Sequence, residues 1–402
     1  MKSLQARYGA LQAVNFIATC TVCIFATIFL QSRGLSNTEV GVVTAGGCVL
    51  SVVFGPLLSG LISRARSLSI NAILQMMFAA CGILFLALVV LPIPVPLMMA
   101  AYATIYAVLM STPPLLSQIC MDYLRQGERI DFGFTRGLGS VSYAVAAAVV
   151  GRIVNVSSPN VLAPIFAVSC IAMVALLRGM PACEKPAIDA GEDGGAKGVG
   201  MVGFMLRYRL LAVALIGFGL SFSASACLST YLINIMTGLG GDASLYGIGI
   251  FVMALTELPA MMVVTPLRQR LGTGALFALG GLSYLFRNTL IATAPSLPVL
   301  FIGLLFQGLS YGTLSALFAY YVSEVCTSED EMMGQTLINL MTAGIGATLG
   351  NFLGGVLQDG FGVGAMSAFA VAVSVAGAVL MCAAGVAERK HRIFQFCPPK
   401  ET

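Results

Sequence analysis

Long apolar runs, broken at regular intervals by short polar or proline-rich stretches, set the pattern of this chain. A helix needs about 20 apolar residues to cross the hydrocarbon core of a bilayer. The spacing predicts spans near 10–31, 40–63, 69–92, 95–118, 138–157 and 160–180, then near 209–235, 244–267, 273–293, 297–322, 335–357 and 363–387. Between the two sets lies the one sizeable polar stretch, where Glu184, Lys185, Asp189, Glu192, Asp193 and Lys197 sit among Gly, Pro and Ala. That composition suits a flexible tether. The expected architecture is an all-α membrane protein with twelve transmembrane helices in two pseudo-symmetric six-helix bundles. The bundles are residues 1–180 and 209–390, with a linker at 181–208 and a tail at 391–402. Paired helical halves of this kind point to a transporter.

Composition narrows the class further. Hydrophobic residues make up 58% of the chain and charged ones 9%, against roughly a quarter charged in soluble domains. An outer-membrane barrel is excluded as well, because its alternating strands with a polar lumen keep hydropathy low. All but four of the lysines and arginines fall on the side of the N-terminus, the even-numbered loops and the C-terminus. Arg33 and Arg152 lie on the opposite side, and Arg136 and Arg287 lie at or within spans. The positive-inside rule then places both termini in the cytoplasm of a cell whose inner or plasma membrane holds the protein. The connections on the other side are short, which leaves no room for a receptor or enzyme domain there.

Ionisable groups inside a span are costly and mark functional sites by default. Glu257 in span 8 and Arg287 in span 9 are well inside, and Arg136 stands where span 5 begins. Arg136 reads either as a group facing a watery cavity or as an interfacial anchor. Glu257 reads either as a proton-coupling group or as half of a structural ion pair with Arg136 or Arg287. Arginine does not lose its proton in a protein, and no histidine lies in any span. Glu257 is therefore the group whose charge can change. Uncharged candidates for a midplane site are Asn15 in span 1, Gln118 in span 4 and Gln307 in span 10, since a buried amide needs a partner. Pro113 and Pro114 are expected to break the backbone ladder of span 4 locally. Gly346, Gly350 and Gly354 read as a close-packing face of span 11. Cys20 and Cys23 form a CxxC within span 1 and read as packing residues, so no metal site is expected. No HExxH, GxSxG or P-loop occurs, so neither an enzyme nor an ATP-driven pump is expected, and no cofactor.

The segment DFGFTRGLGSVSYA resembles the YGxxRxxGSxGxA pattern that opens the fifth helix in the lactose permease-related oligosaccharide/proton symporters of the major facilitator superfamily. TELPAMM, LSYLFRN and LLFQGLSYG resemble that group's helices 8, 9 and 10. The resemblance implies the major facilitator fold. It implies substrate contacts for Arg136, Tyr143 and Gln118, and proton coupling for Glu257 with Arg287 and Arg136. The departures are as informative. Gln307 stands in place of the helix 10 histidine, Ser310 in place of a proton-carrying glutamate, and Gln118 in place of a carboxylate. The loop signature GxLxDRxGR survives only as GLISRAR, with Ser63 for the acid.

The expected function is secondary transport by alternating access, as proton-coupled uptake of a small polar solute that is sugar-like or nucleoside-like. The substrate-binding residues are Arg136, Tyr143, Gln118, Gln307 and Asn15. The alternatives are a proton-driven exporter of drugs or metabolites, and a uniporter of the same fold. Export is disfavoured because AVAAAVVGRI lacks the GPxxGG signature of such exporters. The partners expected are the solute, protons or sodium, and the lipid bilayer, with no nucleic acid and a monomeric protein.

Overall fold

Two glycines show how tightly the spans are joined. Gly272 and Gly362 are each the single residue between consecutive helices, Ala243–Leu271 and Thr273–Ala292, and Ala347–Phe361 and Val363–Phe396. Their φ angles of 81° and 85° belong to the left-handed region, where only glycine turns a chain at no steric cost. Other junctions use side-chain caps. Ser69 accepts from the Ala72 amide at 3.1 Å, and Asp131 accepts from the Phe134 amide at 2.9 Å. The second cap starts span 5 at Phe132, six residues before the apolar run, so Arg136 lies within its first two helical turns.

The computed structural model describes residues 2–64, 69–181 and 200–396. Most of the expected linker, residues 182–199, lies outside the described residues, as do 65–68 and 397–402. The side chains of Ser63 and His391 lie outside them too. Among the described residues, eleven helices are long and apolar enough to cross a membrane, and the bent pair Leu4–Ile24 with Ala26–Ser32, taken as one span, brings the number to twelve. No strand occurs among the described residues. The last helix continues to Phe396, through the first six residues of the expected tail.

Three spans contain π-helical turns that the apolar pattern does not foretell: Cys20–Ile24 in span 1, Gly308–Gly312 in span 10 and Leu340–Gly346 in span 11. Such turns loosen the regular ladder and are frequent at functional positions. The expected break at Pro113–Pro114 is absent, because the helix Val95–Arg125 runs through both prolines. Pro113 has no amide to give the Leu109 carbonyl. The Thr112 hydroxyl, 2.8 Å away, takes that carbonyl instead.

The chain forms two compact units. Among the described residues, unit 1 comprises 2–64, 69–181 and 230–251, and unit 2 comprises 200–229 and 252–396. In unit 1, Phe29, Phe85, Tyr102 and Phe166 form a fully buried aromatic cluster with ring centroids 4.9 to 5.6 Å apart. In unit 2 the core is built around Phe218, stacked on Phe318 at 4.9 Å, with Phe277 and Tyr321 beside it. Glycines let helices touch. A Cβ on Gly219 would stand 2.8 Å from the Met341 carbonyl, and one on Gly346 would stand 2.9 Å from the Gly219 carbonyl. The glycine face expected on span 11 is therefore a contact with the helix Arg209–Thr230 (span 7), helped by Gly350 against Ser223.

Candidate functional site

In unit 2 the site begins with two glycines. Gly308 and Gly312 bracket the π turn of span 10, which continues as the helix Thr313–Val325. They lie against the backbone of Thr256 and Glu257 in the helix Ala243–Leu271 (span 8). A Cβ on Gly312 would come within 3.2 Å of the Glu257 carbonyl. The Gly308 amide donates to the Thr256 hydroxyl at 3.2 Å. This close approach carries Gln307 to Glu257, and its Nε2 donates to Glu257 Oε1 at 2.8 Å. Gln307 is buried and Glu257 half-buried. The other end of the amide, Gln307 Oε1, is buried without a hydrogen-bond partner.

Arg287 lies on the helix Thr273–Ala292 (span 9) and is fully buried. Its Nη1 reaches Ser225 Oγ at 2.6 Å and Asn288 Oδ1 at 2.8 Å, while Nε and Nη2 have no protein partner. Asn288 donates onward to Ser374 Oγ at 2.8 Å, so the guanidinium is fixed to spans 7 and 12 together. No ion pair joins Arg287 to Glu257. The ion pairs found among the described residues are Arg125–Asp122, Arg207–Asp330 and Arg268–Glu324. A structural Glu257–Arg287 pair, one of the two readings of the sequence, is thus not formed in this state. Burying a cation without an acid in contact costs several kcal/mol. Tyr284, one turn earlier, is also fully buried, with its hydroxyl unpartnered.

In unit 1 the candidates divide. Arg136 and Gln118 are exposed, and Tyr143 is half-buried. Tyr143 meets Phe16 edge-on, with centroids 6.2 Å apart. Phe16 in turn fills the gap at Gly139, where a Cβ would stand 2.7 Å from its ring. Asn15 differs from the rest. It is 1% exposed, and its side-chain amide lies 2.8 Å from the Thr112 hydroxyl. The Thr112 hydroxyl lies 2.8 Å from both Asn15 Oδ1 and the Leu109 carbonyl, and its one proton is shared between these two acceptors. Asn15 thus backs up the repair of the proline site.

Sequence reasoning missed Asn288, Ser374 and Tyr284. Two of these were visible as polar letters beside Arg287 in LSYLFRN. Ser374 carried no signal, because its role depends on how span 12 packs on span 9.

The profile of the MFS_1 like family matches residues 12–371. An uncharacterized transporter of Bacillus subtilis (strain 168), YwbF, is 24% identical over 405 residues, covering 98% of each chain. Among solved structures, a mutant form of the nucleoside transporter NupG matches with a TM-score of 0.80 at 16% identity, covering 96% of this chain and 99% of that one. A bacterial homologue of the human lysosomal transporter Spinster, inward-facing and unoccupied, matches with a TM-score of 0.65 at 12% identity, covering 98% and 96%. The twelve-span helical architecture and these likenesses agree: the chain belongs to the MFS_1-like family and is a transporter of the major facilitator type.

Proposed function

We propose that this transporter takes up a small polar solute, sugar-like or nucleoside-like, together with protons, and that Glu257 carries the coupling charge. One observation carries the reading: Gln307 is placed to serve Glu257 in either protonation state. Ionised, the carboxylate accepts from the Gln307 amide nitrogen, which lies 2.8 Å from Glu257 Oε1. Protonated, the acid becomes a donor, and the buried, unpartnered Gln307 Oε1 is an acceptor within the same side chain. An amide supports both states without titrating itself, so replacing the family's histidine with Gln307 leaves Glu257 as the group that takes up the proton. Arg287, held still by Ser225 and Asn288, provides a fixed positive charge in the same unit.

Arg136, Gln118 and Tyr143 are assigned to the solute. Arg136 offers a planar fork of donors to hydroxyl or carbonyl oxygens, Gln118 an amide, and Tyr143 a ring face for a sugar or base. Asn15 is assigned instead to holding span 1 against span 4. The charge asymmetry puts both termini in the cytoplasm, which a cysteine introduced at 181–208 tests by labelling from either side. Nucleosides head the list of solutes to try, since the solved nucleoside transporter NupG shares the fold. Thermal unfolding of the purified protein against labelled nucleosides, disaccharides and organic acids finds the ligand, because a solute that binds only the native state raises the midpoint with its concentration. A panel in which only hydrophobic cations or drugs stabilise would favour the exporter reading.

A further inference from the structure

Span 1 bends by 47° between Ile24 and Ala26, directly after its π turn. Within a bilayer, carbonyls at such a break need donors from elsewhere, since water is not there to supply them. Two tyrosines supply them. Tyr102 donates to the Val22 carbonyl and Tyr246 to the Ile24 carbonyl, both at 2.8 Å and both from fully buried rings. The two differ in what they belong to. Tyr102 is locked into the aromatic cluster of unit 1. Tyr246 lies in the segment 230–251, which belongs to unit 1 although the chain on either side of it belongs to unit 2.

That segment is held by polar bonds. Thr27 donates to the Thr230 carbonyl at 2.6 Å, Tyr231 to the Asn37 carbonyl at 2.9 Å and Asn234 to Asn37 Oδ1 at 2.8 Å. Asn155 donates to Asp242 at 3.0 Å. A close backbone contact adds to these, since a Cβ on Gly151 would stand 2.6 Å from the Ala243 carbonyl and one on Gly247 would run into Ala147. None of these bonds involves an ion pair. The segment is therefore fastened by contacts that can be made and broken without transferring a charge into the membrane.

We propose that Tyr246 is a removable cap on the bend of span 1, so that docking of 230–251 and bending of span 1 form one coupled two-state element. When the segment leaves, Ile24 loses its donor, and Tyr102 is already committed to Val22. An unpaired carbonyl in hydrocarbon is costly, and regular i to i−4 bonding is the nearest remedy. Undocking therefore straightens span 1, and the bend persists only while Tyr246 caps it.

Spin labels on the full-length protein in lipid discs test this. One pair, on Ala6 and Ser32 at the two exposed ends of span 1, reads the bend. A second, on Ser158 and Thr237, reads docking. Straightening lengthens the first distance by about 3 Å at 1.5 Å of rise per residue. Gly247→Val forces the segment off and is expected to lengthen both distances. Tyr246→Phe keeps the ring on Phe25, removes the hydroxyl, and is expected to raise the long component of both. If Gly247→Val does not fold, Gly151→Ala provides a milder wedge with the same expectation. An undocked variant whose Ala6–Ser32 distance equals that of the wild type overturns the proposal, as does Tyr246→Phe leaving both distances unchanged.

Discussion

Gln307 donates to Glu257 across the contact of spans 8 and 10, and Arg287, the buried cation nearby, is not the ion-pair partner of that carboxylate. The arrangement separates two tasks that a direct salt bridge would merge. Gln307 holds one oxygen of the carboxyl, and on the function proposed above Arg287 acts as a separate fixed charge.

Replacing Gln307 by Leu removes the partner of both protonation states. A hydrogen bond to a charged group is worth roughly 1.5–3 kcal/mol, so proton-driven uptake is expected to fall by about tenfold or more. Initial rates in reconstituted vesicles check this. Rates within twofold of wild type would show that the bond is incidental.

Asn288→Ala takes away an acceptor of Arg287 and a donor to Ser374 together. It is expected to lower stability by about 1–3 kcal/mol and to slow uptake, while Ser374→Ala, which touches Arg287 only through Asn288, has the smaller effect on transport. Thermal unfolding and uptake measured on the same preparations distinguish the two.

Thr112→Val frees the Leu109 carbonyl beside Pro113 and strands the Asn15 amide. The expected result is a loss of about 1–3 kcal/mol of stability with solute affinity unchanged. A KM that rises in step with the loss of stability would return Asn15 to the binding site.

Arg136→Lys keeps the charge and loses the planar fork. A rise in KM of about tenfold is expected, with the protein still folded and inserted. Wild-type KM and kcat in this variant would make Arg136 an interfacial anchor.

The fold was legible because bilayer thickness imposes a length on each apolar run, and the charge bias then counts the runs. Glu257 and Arg287 were legible because a charge stands out in hydrocarbon. Their relationship was not. Gln307 reaches Glu257 because Gly308 and Gly312 let two backbones touch through a π turn, and the letters GLSYG are as compatible with an ordinary helical turn. Pro113–Pro114 misled for a related reason: a hydroxyl at 112 repairs the ladder, and Thr followed by two prolines does not announce the repair. The bend at Ile24 was hidden altogether, since its caps come from positions 102 and 246.

The most direct measurement is uptake of the identified solute into vesicles under an imposed inward proton gradient, with sodium absent and then present. Wild type is expected to accelerate under the gradient without sodium. Glu257→Gln, which keeps the shape and removes the titrating group, should not respond to the gradient while still exchanging labelled for unlabelled solute between equal pools. A wild type indifferent to the proton gradient, or a Glu257→Gln variant that still accelerates under it, contradicts the account.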